Sequence, residues 1–240
     1  MVSTSQADPQ ASQAEGGEVP KAAAGAWSRG RAQDVQASPA STPSNQAMTR
    51  VCVFAGSSSG SRPEYRTAAE ELGRELAARG IELVYGGAHV GLMGAVADAV
   101  LAGGGRVTGV IPNALVEKEV AHSGLTDLRI VTSMHQRKAL MAELSDAFVA
   151  LPGGWGTLDE MFEILTWAQL GLHRKPCGLL NVQGYFDRLL AFLDHTVEQG
   201  FVRREYGALL AVSEGPSTLL DALRAQTPPA VEKWIDVASR

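Results

Sequence analysis

The sequence predicts a doubly wound, Rossmann-like α/β domain: a parallel sheet of about seven strands with helices on both faces. Three observations predict it. Short apolar runs alternate with stretches of helical periodicity from about Thr49 to Thr227. Most of the runs end at glycines or a proline. Helix-like sequence then follows, the pattern of parallel strands joined by helical crossovers. Ligands of such sheets bind outside the carboxyl ends of the strands, which directs the search for function to the strand-to-helix loops.

The elements follow in order. Arg50–Ala55 reads as a strand ending in Gly56-Ser57-Ser58-Ser59-Gly60. Pro63 opens a helix to about Arg79, with Leu72 and Leu76 on one face and Gly80 as its stop. Ile81–Tyr85 is a second strand, ended by Gly86-Gly87, and Gly91–Ala102 a small-residue helix. Arg106–Ile111 is a third strand, closed by Pro112. A polar connector carrying Glu117 and Glu119 leads to a fourth strand at Leu128–Thr132 and a helix at Met134–Leu144. Ala147–Leu151 is a fifth strand, followed at once by Pro152-Gly153-Gly154-Trp155-Gly156-Thr157 and a helix to about Leu170. Cys177–Leu180, a helix from Tyr185 to Gln199, Leu209–Val212 and a helix at Ser217–Arg224 complete the domain.

This domain occupies residues 49–227. Residues 1–48 contain no Leu, Ile, Phe or Tyr and bury too little apolar area to offset their ordering entropy. They read as a disordered Ala/Ser/Gln/Pro-rich tail in which Trp27 is the one bulky side chain. Residues 228–240 read as a loosely attached C-terminal tail. With 21 Lys+Arg against 26 Asp+Glu the formal charge is −5, which argues against a basic nucleic-acid binder. No apolar run reaches the roughly 18 residues of a membrane span. The amino terminus lacks the cationic start and apolar block of a signal peptide, so a cytoplasmic protein is expected. Cys52 and Cys177 belong to no CxxC pair and sit in apolar runs, so each reads as a small core residue rather than a zinc ligand or disulfide half. No metal cluster or cofactor is expected.

The segment Pro152–Glu160 carries the strongest chemical signal. Pro152 blocks continuation of a strand, and the glycines let backbone N–H groups approach an anion closely. The helix start adds unpaired donors and the positive end of a dipole, and Thr157 adds a hydroxyl. The segment suits a phosphate, although a tight turn has the same composition. It is neither a Walker loop nor the dinucleotide G-x-G-x-x-G. Asp159, Glu160 and Glu163 follow. Acids favour a first helical turn for the dipole alone, but a carboxylate one turn beyond a bound phosphate lies near the sugar. There it can steady an oxocarbenium ion or align a water. Ser133 with Gln136 reads as a capping box, which puts Arg137 and Lys138 near a helix amino terminus, where the dipole disfavours cations. That local penalty hints at an anionic partner, with a surface Arg-Lys pair as the plain alternative. His135 has no independent signal.

The segments "SMHQRKALM", "LPGGWGTLDEMFEILTWAQLGLHRKP" and "VYGGAHVGLMGAVADA" resemble the Lonely Guy family of cytokinin-activating 5′-monophosphate phosphoribohydrolases, many of whose relatives carry the older label "lysine decarboxylase-like". The resemblance spans about Val51 to Leu223. It implies hydrolysis of the N-glycosidic bond of a nucleoside 5′-monophosphate, of the AMP or N6-isopentenyl-AMP type, to free base and ribose 5-phosphate. It implies a catalytic pair at Arg137 and Glu160, and nucleotide contacts at Lys138, at Gly154, Trp155, Gly156, Thr157, Leu158 and Asp159, at Thr166 and, upstream, at Glu119. It also implies a homodimer with sites near the subunit interface. Trp155 stands where many relatives have Tyr, and the long amino-terminal tail lies outside the family pattern. The rival reading is a non-catalytic nucleotide or molybdenum-cofactor carrier with the same fold and a similar anion loop. Lysine decarboxylation would need pyridoxal phosphate on a lysine, and the core offers Lys118, Lys138 and Lys175.

Overall fold

The computed structural model describes residues 48–116 and 121–227. Trp27, Glu117, Lys118, Glu119 and both expected tails, apart from Met48, lie outside the described residues. In chain order the elements are β1 (Arg50–Phe54), α1 (Pro63–Ala78), β2 (Glu82–Tyr85), α2 (Gly91–Ala102), β3 (Val107–Pro112), α3 (Asn113–Val116) and β4 (Asp127–Val131). There follow α4 (Met134–Leu144), β5 (Ala147–Ala150), α5 (Trp155–Gln169), β6 (Cys177–Leu180), α6 (Asp187–Glu198), β7 (Leu210–Ser213) and α7 (Pro216–Ala225). Each expected strand and long helix is present, with ends shifted by a residue or two. The short α3 falls in what reads as polar connector. The helix expected from Tyr185 begins two residues later, behind a 3-10 turn at Val182–Gly184.

The strands form one sheet in the order β4-β3-β2-β1-β5-β6-β7, parallel throughout. Strands covered on both faces need apolar residues at every position, and the four residues of both β5 and β6 are buried. Alternation sends successive side chains to opposite cores. Val51 and Val53 of β1 join Leu72 and Leu76 of α1, Val96 of α2 and Leu220 of α7. Cys52 and Phe54 join Met141 of α4, Met161 and Ile164 of α5, and Leu190 of α6. Each fully buried Leu or Ile adds about 1.5–3 kcal/mol relative to an exposed one. Both cysteines are free and buried, as expected.

The topology places the site. From β1 the chain builds outward through β2 and β3 to β4, then returns through α4 to lay β5 on the other side of β1. The register pairs Phe54 with Ala150, so β1 and β5 end side by side. Their loops diverge there, opening a crevice at the point where the strand order reverses.

A candidate nucleotide site at the switch point

Three glycine-rich junctions, far apart in sequence, meet at this crevice. The Leu151 N–H donates to the Phe54 carbonyl at 2.9 Å, and the Gly56 N–H donates to the Pro152 carbonyl at 3.1 Å. The Gly56 carbonyl accepts from the N–H groups of Leu92 at 3.0 Å and Met93 at 3.4 Å, in the first turn of α2. Backbone approach this close excludes side chains. A Cβ on Gly91 would overlap the Ser57 carbonyl, and one on Gly153 would overlap the Thr157 hydroxyl and lie 2.9 Å from the Gly56 nitrogen.

Gly154 and Gly156 differ. A Cβ at either would meet nothing within 4 Å, and neither has positive φ. Nothing in the fold requires glycine there. Gly154 is the N-cap of α5, without a side-chain cap, so the first N–H groups of the helix have no intrahelical partner. The loop therefore offers amide donors and the positive end of a dipole to open space.

Charge of both signs lies beside it. Glu160, half-buried, is one turn into α5. Arg137, in the second turn of α4, is only 5% exposed. Its Nη2 donates to the Gly86 carbonyl at 3.2 Å, and its Nη1 contacts the Met134 sulfur at 3.7 Å. Its Nε–H is buried without a hydrogen-bond partner among the described residues. A buried donor left unpaired costs about 1–3 kcal/mol, and more when charged, so this is an uncommon arrangement to maintain. Gly86 makes it possible: a Cβ there would overlap the guanidinium. Both charges act on the Cys52 thiol of β1. Burial pushes that thiol well up, and the Glu160 carboxylate raises it further, while Arg137 works the other way. Arg137 and Glu160 belong to α4 and α5, which pack into the same core on one face of the sheet.

Residues 93–223 match the family model described as possible lysine decarboxylase. A probable cytokinin riboside 5′-monophosphate phosphoribohydrolase of Oryza sativa subsp. japonica is 54% identical over 180 residues, covering 75% of this chain and 73% of that protein. A cytokinin riboside 5′-monophosphate phosphoribohydrolase of Arabidopsis thaliana is 57% identical over 153 residues, covering 64% of this chain and 70% of that protein. The chain belongs to this family, the Lonely Guy family. The molybdenum cofactor carrier protein of Chlamydomonas reinhardtii superposes with a TM-score of 0.57 at 21% identity, covering 75% of this chain and 98% of that one. The molybdenum cofactor binding protein of Rippkaea orientalis gives 0.56 at 20%, with the same coverage. Those two show a shared fold.

The remaining positions expected from the Lonely Guy resemblance divide. Gly154, Trp155, Gly156, Thr157, Leu158, Asp159 and Glu160 form the loop and the start of α5, which α4 reaches through the ion pair of Lys138 with Asp159. Trp155 is 88% exposed, but Thr157 is buried, with its hydroxyl against Gly153. Lys138 is committed within the protein: its Nζ lies 3.0 Å from Glu163 and 3.2 Å from Asp159, clamping α4 to α5. Burial lowers its pKa, but the two carboxylates outweigh that, and the net shift is upward. The anionic partner inferred for the Arg-Lys pair is therefore, for Lys138, a neighbouring helix. Thr166 is exposed, donates to the Phe162 carbonyl at 2.7 Å, and lies nine residues, about 13 Å, along α5 from Thr157. The connector that carries Glu119 resumes beside the end of β2, where the His122 N–H donates to the Gly87 carbonyl at 2.9 Å.

Two residues have roles here that the sequence does not show. The Gly86-Gly87 junction reads either as part of a nucleotide pocket or as a close-packing device, and nothing in it says that Gly86 seats Arg137. Tyr185 reads as the start of a helix, yet its hydroxyl donates to the Gly153 carbonyl at 2.6 Å. Among the described residues no group of His, Cys, Asp and Glu is arranged to hold a metal ion, and no helix is long and apolar enough to cross a membrane.

Proposed function

We propose that this chain hydrolyses the N-glycosidic bond of N6-modified adenosine 5′-monophosphates, releasing free base and ribose 5-phosphate. The family membership supports the reaction class. The observation that carries the assignment to this site is the pairing of an open, glycine-lined helix start with a buried arginine, one N–H of which has no hydrogen-bond partner among the described residues.

The 5′-phosphate binds the N–H groups at Gly154–Thr157, a contact that backbone donors and the α5 dipole make without a lysine. Asp159 and Leu158 shape the first turn, Lys138 braces it, and Trp155, Thr166 and Glu119 border the ligand. The ribose then lies toward Glu160. As the bond from C1′ to the base nitrogen lengthens, its electron pair leaves with the base and positive charge grows on the sugar. An ionised Glu160 stabilises that charge and orients the water whose oxygen bonds to C1′. The water loses one proton and the departing base gains one, so the reaction balances as monophosphate plus water. Arg137 orients the nucleotide and stabilises the separating groups. Charges preorganised in this way lower a barrier by several kcal/mol.

The lysine decarboxylase description does not fit the described lysines. A Schiff-base lysine needs a depressed pKa, whereas Lys138 is ion-paired and shifted upward. Burial does lower the pKa of Lys175, but that side chain donates to the Ala142 carbonyl at 2.7 Å just before β6, at the opposite end of the sheet from the loop. A carrier role rests on the shared fold and has no further observation in its favour.

We further propose a cytoplasmic homodimer in which residues 49–227 form the catalytic domain and both terminal segments lie outside it. Phe162 in the middle of α5 and Leu170 and Leu172 just past its end leave apolar side chains exposed, which supports that assembly. The test of function is Glu160→Gln and Arg137→Ala with N6-isopentenyl-AMP, base release being followed by chromatography. Each should lose about 10²–10³ in kcat, as removal of a preorganised electrostatic group does. Near-wild-type release by both would remove these assignments.

A further inference from the structure

The amides of a phosphate-binding loop work only if their peptide planes are turned correctly. A trans peptide is flat, so its C=O and N–H point in opposite directions, and anchoring one aims the other. The described chain has no cis peptide bonds. The Pro152 carbonyl is anchored by the Gly56 N–H, and the Gly154 carbonyl accepts from the Leu158 N–H at 3.1 Å in the first turn of α5. Between them lies the Gly153–Gly154 peptide, flanked by two residues with no side chains to restrain it. Its carbonyl receives the Tyr185 hydroxyl at 2.6 Å.

From this geometry we infer that Tyr185 is a positioning residue for 5′-phosphate recognition, acting through the Gly153–Gly154 peptide. Holding the Gly153 carbonyl toward Tyr185 turns the Gly154 N–H to the opposite side of the chain, in line with the donors at the start of α5. Tyr185 is itself braced. Its ring meets Tyr65 edge-on at 5.6 Å and Phe186 at 4.9 Å. Phe186 is 1% exposed and its N–H donates to the Asn181 side chain at 2.8 Å. Tyr65, near the start of α1, packs against Gly60 so closely that a Cβ there would come within 2.8 Å of its ring. The hydroxyl is thus held by elements following β1 and β6, on either side of the loop it orients. Without that bond the peptide between two glycines can flip at small steric cost, presenting a carbonyl oxygen to the phosphate instead of an N–H.

This inference rests on the proposed phosphate cradle, and the test separates the two. Wild type, Tyr185→Phe and Tyr65→Phe are compared for hydrolysis of AMP and of adenosine, and for binding of AMP by calorimetry. Phenylalanine keeps the ring and its packing while removing the donor. The expected result is a KM for AMP about three- to tenfold higher in Tyr185→Phe, the range for one lost hydrogen bond. AMP binding should weaken in parallel, kcat should change less than KM, and adenosine turnover should match wild type. Tyr65→Phe, which keeps the ring contact, should behave as wild type. A merely structural role would lower the melting temperature without changing the ratio of AMP to adenosine turnover, and that result would overturn the inference. So would unchanged AMP binding in Tyr185→Phe. If wild type itself bound AMP no better than adenosine, the cradle and this inference would fall together.

Discussion

The two ends of the sheet handle polar groups in opposite ways. At the amino ends of the strands, charges answer one another. Glu82 lies 3.4 Å from Arg50 and 3.8 Å from Arg106 and accepts the Thr108 hydroxyl at 2.6 Å. Arg129 meets Asp127 at 2.6 Å. A single oxygen of Asp146 accepts from the Thr49 N–H, the Thr49 hydroxyl and the Arg50 N–H. A recess of about 170 Å³ lies among these residues. It falls below the roughly 300–1,000 Å³ of ordinary ligand sites, and its lining charges are already paired. At the carboxyl ends, a guanidinium is buried with one N–H that no described residue answers, and a helix begins with open amides. Groups that satisfy each other stabilise a fold; groups held in place without partners are arranged for something that arrives later. The end whose polar groups are left open is therefore the one that reads as functional.

That contrast can be broken most directly at Gly86. Gly86→Ala adds one methyl where the guanidinium lies, so Arg137 must move. A displacement of this size should cost about a hundredfold in base release, because productive geometry tolerates little error. Wild-type rates with this variant would mean that the seat of Arg137 is incidental.

The adjacent loop glycines provide a sharper comparison. Gly153→Ala should lower stability by about 1–3 kcal/mol, as overpacking does, measured by urea denaturation. Gly154→Ala has open space for its methyl and should stay within about 0.5 kcal/mol of wild type. It should nonetheless raise the KM for a nucleoside monophosphate, because the methyl occupies the approach of the phosphate. Equal stability losses in the two variants, or an unchanged KM in the second, would erase the distinction between glycines required by the fold and glycines required by the ligand.

The smallest effect belongs to the paired end. Arg129→Ala removes an exposed ion pair, worth about 0–1 kcal/mol, and should leave kcat/KM unaltered. A fall in activity would show that the recess takes part in function.

The chain reads differently at different depths. The inner strands were legible because burial on both faces forces continuous apolar runs such as Ala147–Ala150, whereas the edge strands β4 and β7 are only partly buried. The Pro152–Glu160 loop was legible because its glycines, proline and acids are contiguous. The partner of Lys138 was not: Asp159 and Glu163 lie 21 and 25 positions onward, and nothing local says which helix packs beside α4. The part played by Tyr185 was hidden for the same reason, since its contact with Gly153 spans 32 positions.

Sequence alone determined the alternation of strand and helix, the apolar runs that build the core, and the presence of a glycine-rich loop of a composition suited to an anion, with an acid one turn beyond it. These are short-range properties, written in neighbouring residues as periodicity and backbone permission. Only the tertiary structure decided that Gly56, Gly91 and Gly153 share one backbone cluster, that Gly86 makes room for Arg137, and that the two cations of one dipeptide part company. Each of those depends on which elements become neighbours, and strand order is set by the packing of the whole sheet rather than by any local stretch of chain.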